Sequence, residues 1–280
     1  MSSNFVQSTV LRSIALRAVR TAARAQFWRT GPRVFVNSIP KAGTHLLTSE
    51  LDRITPLQNC RLHLNAAQLG TNDAADGGAP SINKESLSHQ IGTVRGSQYF
   101  TGHLPWSVEL QSVLSSADIS SIFILRDPRD ILVSRYHYVT ALRRHHLHDF
   151  LTSVSDKPVD VYRKLVLGHE GAPFIRPMRH MLRQYLPWQA ASGVLTVRFE
   201  DLVGARGGGN DAIKQLWLEK IAGHIGVALN NRQFEPSAPP KKTPTLRKGK
   251  AGAWSDELPS EIASLIDEEC GPEMMAIGYP

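Results

Sequence analysis

The segment Val34-Phe-Val-Asn-Ser-Ile-Pro-Lys-Ala-Gly-Thr-His45 constrains the fold more than any other stretch of the chain. Val34, Phe35 and Val36 form the apolar run that a buried strand requires, and Pro40 stops it. Lys41, Gly43 and Thr44 follow, after which Leu46, Leu47, Leu51 and Ile54 recur with helical period. A strand, a tight turn of small residues and a helix N-terminus gather several backbone N–H groups and one ammonium around a single anion. The pattern predicts a phosphate cradle. It is not the common nucleotide loop, G-x-x-x-x-G-K-S/T, whose lysine stands directly before the hydroxyl residue. Here Lys41 precedes Gly43 by two positions.

A second strand-to-helix junction carries another anion-binding set. Ile122-Phe-Ile-Leu125 reads as a buried strand, followed by Arg126-Asp-Pro-Arg-Asp-Ile-Leu-Val-Ser134 and Tyr136-His-Tyr138. Pro128 suits the first turn of a helix, with Asp127 as its N-cap. Arg126 then leaves the strand end and Ser134 sits further along the helix. A third element, Arg247-Lys-Gly-Lys-Ala-Gly-Ala-Trp254, is a basic loop containing glycine. Three such elements suit a nucleotide phosphorylated at both its 5′ and its 3′ end.

On these residues the chain resembles the sulfotransferases that use 3′-phosphoadenosine 5′-phosphosulfate (PAPS). Their 5′-phosphosulfate loop reads roughly PKSGTTW, and here it is Pro40-Lys-Ala-Gly-Thr-His-Leu46. Their R(x)7S element for the 3′-phosphate is matched by Arg126 and Ser134, and their RKGxxGxW element by Arg247 to Trp254. Tyr99-Phe-Thr-Gly-His-Leu-Pro-Trp106 resembles the family's THLP segment, whose histidine is the general base in the cytosolic branch; the matching residue is His103. The matches run from Val34 to Trp254 in the family's order. Three departures accompany them. His45 and Leu46 stand where the family has Thr-Trp, Thr101 where it commonly has a lysine, and Phe199 where it frequently has a tyrosine.

The resemblance implies an α/β fold, a P-loop-like parallel sheet flanked by helices on both faces, in a single sulfotransferase domain over 31–280. It implies sulfuryl transfer from PAPS to an acceptor hydroxyl or amine, leaving adenosine 3′,5′-bisphosphate (PAP), with no metal expected. His103 would take the acceptor's proton, since an imidazole with a pKa of about 6.5 is largely neutral at pH 7. Lys41 would stabilise charge on the leaving group. The N–H groups of Ala42, Gly43, Thr44 and His45, with Lys41 and the Thr44 hydroxyl, would hold the 5′-phosphate. Arg126, Ser134, Arg247, Lys248 and the N–H of Gly249 would hold the 3′-phosphate. Two alternatives stand beside this. One is a non-catalytic PAP- or PAPS-binding protein. The other is a P-loop nucleotide kinase, which needs a Mg²⁺-binding hydroxyl after Gly-Lys and an acidic strand end, neither of them recognisable here.

The pattern along the chain agrees with an α/β fold without the resemblance. Strands are expected at 33–38, 97–101, 120–125 and 194–199, and helices at 43–54, 107–115, 128–142, 211–226 and 255–269. Residues 145–190 look mostly helical, 70–84 read as a surface loop and 229–250 as a loop containing Pro and Lys. Alternating strands and helices imply a parallel sheet covered on both faces, with ligands at the carboxyl ends of its strands. Lys41, His103 and Arg126 each follow a predicted strand.

Charge and cysteine usage narrow the partners. Residues 1–49 hold six arginines and Lys41 with no acidic residue, which equals the whole formal net charge of +7. The remainder is balanced, so no nucleic-acid surface is indicated. On a helical wheel Leu11, Ile14, Ala15, Ala18, Val19 and Ala22 share one face and Arg12, Arg17, Arg20 and Arg24 the other. Three readings of this 1–30 extension compete: a helix docked on the domain, a peripheral contact with an anionic membrane, or an organellar transit segment. Cys60 and Cys270 are the only cysteines and suggest no disulfide framework, so a reducing, cytoplasmic setting is the default. The run Arg143-Arg-His-His-Leu-His148 lacks a partner Cys, Asp or Glu at ligand spacing and reads as a solvated helix face or an acceptor-site edge. The segments expected to cover the pocket, 60–95 and 138–180, are polar and poor in aromatics. They lean toward a polar acceptor such as a carbohydrate, a glycolipid hydroxyl or a polar metabolite.

Overall fold

The computed structural model describes residues 31–69, 81–229 and 249–280. The expectations for the 1–30 extension, for most of the 70–84 loop and for Arg247 and Lys248 fall outside the described residues. Five strands, β1 (Arg33–Ser38), β2 (Gln58–Asn65), β3 (Gln98–His103), β4 (Ile119–Leu125) and β5 (Val194–Arg198), pair in parallel in the order β2-β3-β1-β4-β5. The two-residue period of a strand sends alternate side chains to opposite faces. Phe35, Phe100, Phe123 and Leu125 face one side, and Val34, Val36, Ile122 and Ile124 the other.

Each face is covered by helices that bury an apolar stripe. On the side of Val34 and Val36 lie α1 (Thr44–Ile54), through Leu46, Leu47, Leu51 and Ile54. The short α8 (Phe199–Leu202) and α9 (Asp211–His224) complete that layer with Leu202, Leu218 and Ile221. On the side of Phe35 lie α2 (Lys84–Ile91), α3 (Val108–Ser116), α4 (Pro128–Ala141), α5 (His148–Val154), α6 (Pro158–Leu167) and α7 (Met178–Tyr185). The last long helix, α11 (Ser260–Ala276), packs there too, preceded by the single turn α10 (Trp254–Glu257). Trp188 lies fully buried between these helices and the sheet, with its indole N–H donating to the Leu104 carbonyl at 2.9 Å. The expected α/β fold, with helices on both faces of a parallel sheet, is the observed one.

Three local expectations change. The strand β2 was not anticipated, although its buried residues Cys60, Leu62 and Leu64 alternate with Arg61, His63 and Asn65. Its register with β3 also shifts between Asn59 and His63, as at a bulge. Arg143 to Leu147 do not form a helix face; they make the turn between α4 and α5, and His148 opens α5. The final helical segment is broken at Leu258-Pro259, because the residue before a proline is pushed out of the helical region.

The chain order places a switch at β1, whose neighbours β3 and β4 lead to opposite edges of the sheet. Such a switch leaves a crevice beyond the carboxyl ends of the strands. The helix α1 that starts at this crevice is tied down by a buried ion pair, Lys214 Nζ to Glu50 Oε1 at 2.8 Å, which joins it to α9. Among the described residues no helix is long and apolar enough to cross a membrane.

Candidate active site

The turn after β1 forms the floor of the crevice. Ala42 N–H donates to the Ile39 carbonyl at 3.0 Å, closing the turn, and the Ala42 side chain is buried. The N–H that the sequence assigned to an anion at Ala42 is therefore used within the loop. Gly43 follows at φ 115, in the left-handed region, and serves as the N-cap of α1. Having no side chain, it caps no donor; its carbonyl accepts from Leu46 N–H at 2.9 Å, and the N–H groups of Thr44 and His45 remain available at the helix end. A Cβ at Gly43 would meet Phe199 Cδ2 at 2.6 Å and Ile124 Cδ1 at 3.2 Å. Only glycine satisfies both the backbone and the space.

Lys41 also has a positive φ, 75. Its Nζ lies 4.0 Å from the centre of the Tyr138 ring. Burial, and then the Arg126 guanidinium, lower its pKa to about 8. The ammonium is thus held away from water beside a second cation, a setting in which an anion is strongly favoured.

At the end of β3, His103 Nδ1 lies 3.0 Å from the Ser38 carbonyl oxygen and 3.2 Å from Ser38 Oγ. A carbonyl oxygen can only accept, so Nδ1 carries the hydrogen and Nε2 has the lone pair. Burial pushes the pKa of His103 down to about 4, with the neighbouring His63, His45 and Lys41 acting in the same direction. The imidazole is neutral at pH 7 and can accept a proton. Ser38 Oγ is also 2.6 Å from Thr44 Oγ1. A continuous set of hydrogen bonds therefore joins the helix N-terminus to the histidine. The His63 ring stands edge-on to His103 at 4.9 Å between centres, with its Nδ1 2.8 Å from Thr101 Oγ1.

The β4–α4 junction forms the opposite wall. Asp127 is the N-cap of α4, accepting from Arg129 N–H at 2.8 Å, and Pro128 occupies the first turn as expected. Arg126 lies over the Phe199 ring at 4.2 Å, donates to the Lys250 carbonyl at 2.8 Å and sits 3.3 Å from Asp130 Oδ2. Its Nε is buried with no partner among the described residues. A buried donor without an acceptor is costly, and an anion would satisfy it. Asp130 also accepts from Gly252 N–H and Trp254 N–H, each at 2.9 Å, and so pins the glycine-containing loop beside Arg126. Asp127 pairs with Arg129, not with Arg126.

These elements enclose one cavity of about 500 Å³. Of the residues singled out in the sequence, Lys41, Gly43, Thr44 and His45 line it on one side. His103, Arg126, Ser134 and Gly249 line the rest. Ala42 does not. Sequence reasoning missed Ser38, Asn59, His63, Asp130 and Tyr138. The alternation around His63 was a usable signal for β2. Asp130 and Ser38 carried none, since their partners lie up to 124 residues away.

Residues 31–205 match the family described as the sulfotransferase domain. No curated protein matches the chain. Among solved structures, mouse sulfotransferase SULT7A1 complexed with PAP is similar at 16% identity and a TM-score of 0.55, covering 91% of this chain and 88% of that one. Retinol dehydratase with androsterone and inactive cofactor PAP is similar at 15% identity, 92% and 85% coverage and a TM-score of 0.47. Its complex with retinol and PAP gives 15% identity, 91% and 85% coverage and the same TM-score of 0.47. At these identities the structural likeness concerns the fold. With more than half its length matched by the family, and the motifs in place around one cavity, the chain belongs to the sulfotransferase domain family.

Proposed function

We propose that this protein transfers the sulfuryl group of PAPS to a hydroxyl or amine of a polar acceptor. The observation that carries this is the convergence of an uncapped helix N-terminus, two cations and a neutral histidine with a free Nε2 lone pair on one cavity. The fit to a doubly phosphorylated nucleotide rests on two separate anion settings. The N–H groups of Gly43, Thr44 and His45, with Lys41, form one. Arg126, with its unpartnered buried Nε, Ser134 and the loop from Gly249 form the other. Arg247 and Lys248 are assigned to the second from the sequence alone.

When bound, PAPS supplies a sulfuryl group on a phosphate leaving group. His103 Nε2 takes the proton of the acceptor's O–H or N–H as that atom forms its bond to sulfur. The sulfur–oxygen bond to the 5′-phosphate breaks, and its electron pair stays on the phosphate oxygen. Lys41 moves from the Tyr138 ring to that oxygen and offsets the developing charge. The Ser38 carbonyl holds the His103 tautomer, and the Ser38–Thr44 hydroxyl pair keeps the base in fixed relation to the cradle.

The acceptor side of the cavity is lined by Thr48, Asn59, His63, Thr101 and Tyr138. Hydroxyl, amide and imidazole groups match a carbohydrate, a glycolipid head or a polar metabolite better than a steroid. The test is turnover of PAPS with a panel of such acceptors. His103→Ala should abolish it while PAP affinity stays within about threefold, because His103 acts on the acceptor and not on the nucleotide. A wild-type protein that binds PAP and turns over no acceptor would instead be a nucleotide-binding scaffold.

A further inference from the structure

The ends of β4 and β5, beside the Arg126 part of the donor site, are joined by one half-buried carboxylate. Glu200 Oε1 accepts from the Asp127 N–H at 3.0 Å, and Asp127 directly follows Arg126. On its own chain Glu200 directly follows Phe199, the ring on which the Arg126 guanidinium rests at 4.2 Å. Glu200 therefore sets both the backbone beside Arg126 and the surface beneath its side chain. Its second oxygen, Oε2, accepts from the Tyr279 hydroxyl at 2.7 Å.

Tyr279 is itself fixed. Its side chain is buried, and its N–H donates to the Met274 carbonyl at 2.9 Å. Arg198, at the end of β5, donates to the carbonyls of Ile277 and Gly278 at 3.1 and 3.2 Å and lies 4.9 Å over the Tyr279 ring. Gly278 has a φ of 77, in the left-handed region that favours glycine, where the chain turns beneath that guanidinium. The hydroxyl thus reaches Glu200 from this anchored segment, and neither Tyr279 nor Glu200 lines the cavity.

We propose that Tyr279 is a positioning residue for recognition of the donor's 3′-phosphate, acting through Glu200 on the Arg126–Asp127 turn. This rests on the assignment of Arg126 to the 3′-phosphate. Without the hydroxyl, Glu200 Oε2 loses the Tyr279 hydrogen bond, and the carboxylate is free to rotate away from the Asp127 N–H. The turn then loosens, and Arg126 is left with the Lys250 carbonyl, Asp130 and the Phe199 ring on a backbone no longer fixed at Asp127. The 5′-phosphate cradle meets this segment at the Phe199 ring beside Gly43, not through the Asp127 N–H on which the proposal turns.

The test is calorimetric binding of PAP and of 5′-AMP to the wild-type protein and to Tyr279→Phe. Tyr279→Phe keeps the ring and removes only the hydroxyl. PAP should bind about 3- to 10-fold more weakly to the variant, the effect of one hydrogen bond, while AMP affinity stays within about twofold. The preference for the 3′-phosphate, read as the ratio of the two dissociation constants, shrinks accordingly. A merely structural role would weaken both nucleotides alike, and that result, or an unchanged ratio, overturns the proposal. If Tyr279→Phe does not fold, Glu200→Met, which has no oxygen to accept from Asp127 N–H or the Tyr279 hydroxyl, breaks the same link from its other side and is judged by the same ratio. A wild-type protein with no preference for PAP over AMP would remove the donor assignment itself, an outcome separate from any effect of the variants.

Discussion

Asp130→Asn tests how the glycine-containing loop is held at the site. Asp130 is 1% exposed, and its carboxylate accepts from Gly252 and Trp254 N–H groups at 2.9 Å each, with Arg126 Nη2 3.3 Å from Oδ2. The amide keeps one acceptor oxygen and places an NH₂ where the second backbone N–H now donates. One charge-assisted bond, about 1.5–3 kcal/mol, is lost, and one buried N–H is left unpaired at about 1–3 kcal/mol. Opposing this, the amide carries no charge to desolvate. Burial is the largest influence on Asp130 and raises its pKa, against the pull of Arg126 and the two N–H groups. The net expectation is a loss of about 2 kcal/mol, concentrated in one loop. Urea unfolding reads the total, and hydrogen exchange at the Gly252 and Trp254 amides reads its location. A stability change below about 0.5 kcal/mol with both amides still protected would refute this account of the loop.

Further expectations follow from the same geometry. Gly43→Ala combines a positive φ with a Cβ 2.6 Å from Phe199 Cδ2, so it should cost about 2–4 kcal/mol; an unchanged melting temperature would contradict it. The Lys41 pKa of about 8 rises when an anion neutralises its surroundings, so PAP binding near pH 8.5 should take up a proton. The binding enthalpy should then vary with the buffer's ionisation enthalpy and cease to do so in Lys41→Met; buffer-independent heats in the wild type would sink this. His103 has a folded pKa of about 4 against about 6.5 unfolded, so between those values the unfolded chain holds more protons. Its contribution is present above about pH 6.5 and is lost as the pH falls to about 4. His103→Gln should flatten the stability profile in that window, and an unaltered slope would count against the burial of this imidazole.

Much of the site was legible because its signals are local. The run from Val34 to Ile54 states a strand, a turn and a helix within one window, and the turn is where the cradle lies. Asp127-Pro128 marks the start of α4 by capping chemistry alone, which fixes where Arg126 leaves the sheet. Elsewhere the determinants are not local. The Arg126 support comes from Phe199, Asp130 and Lys250, and the tautomer of His103 comes from a carbonyl 65 residues away. The edge strand β2 was signalled only by the short alternation of Cys60, Leu62 and Leu64 with polar residues, and its register shift lies in the pairing with β3, which no local pattern states. The Ala42 N–H shows the limit from the other side: the motif names the residue, but only the turn geometry reveals that its donor is taken by Ile39.

The most direct test of the central claim is calorimetric binding of PAP beside 5′-AMP and ADP. AMP differs from PAP only in lacking the 3′-phosphate, the group assigned to Arg126 and its buried, unpartnered Nε. A charge-assisted contact of about 1.5–3 kcal/mol predicts that PAP binds about 10- to 150-fold more tightly than AMP, with ADP no better than AMP. Equal affinities for the three nucleotides, or no binding of any, would contradict the assignment of this cavity to a 3′-phosphorylated sulfuryl donor.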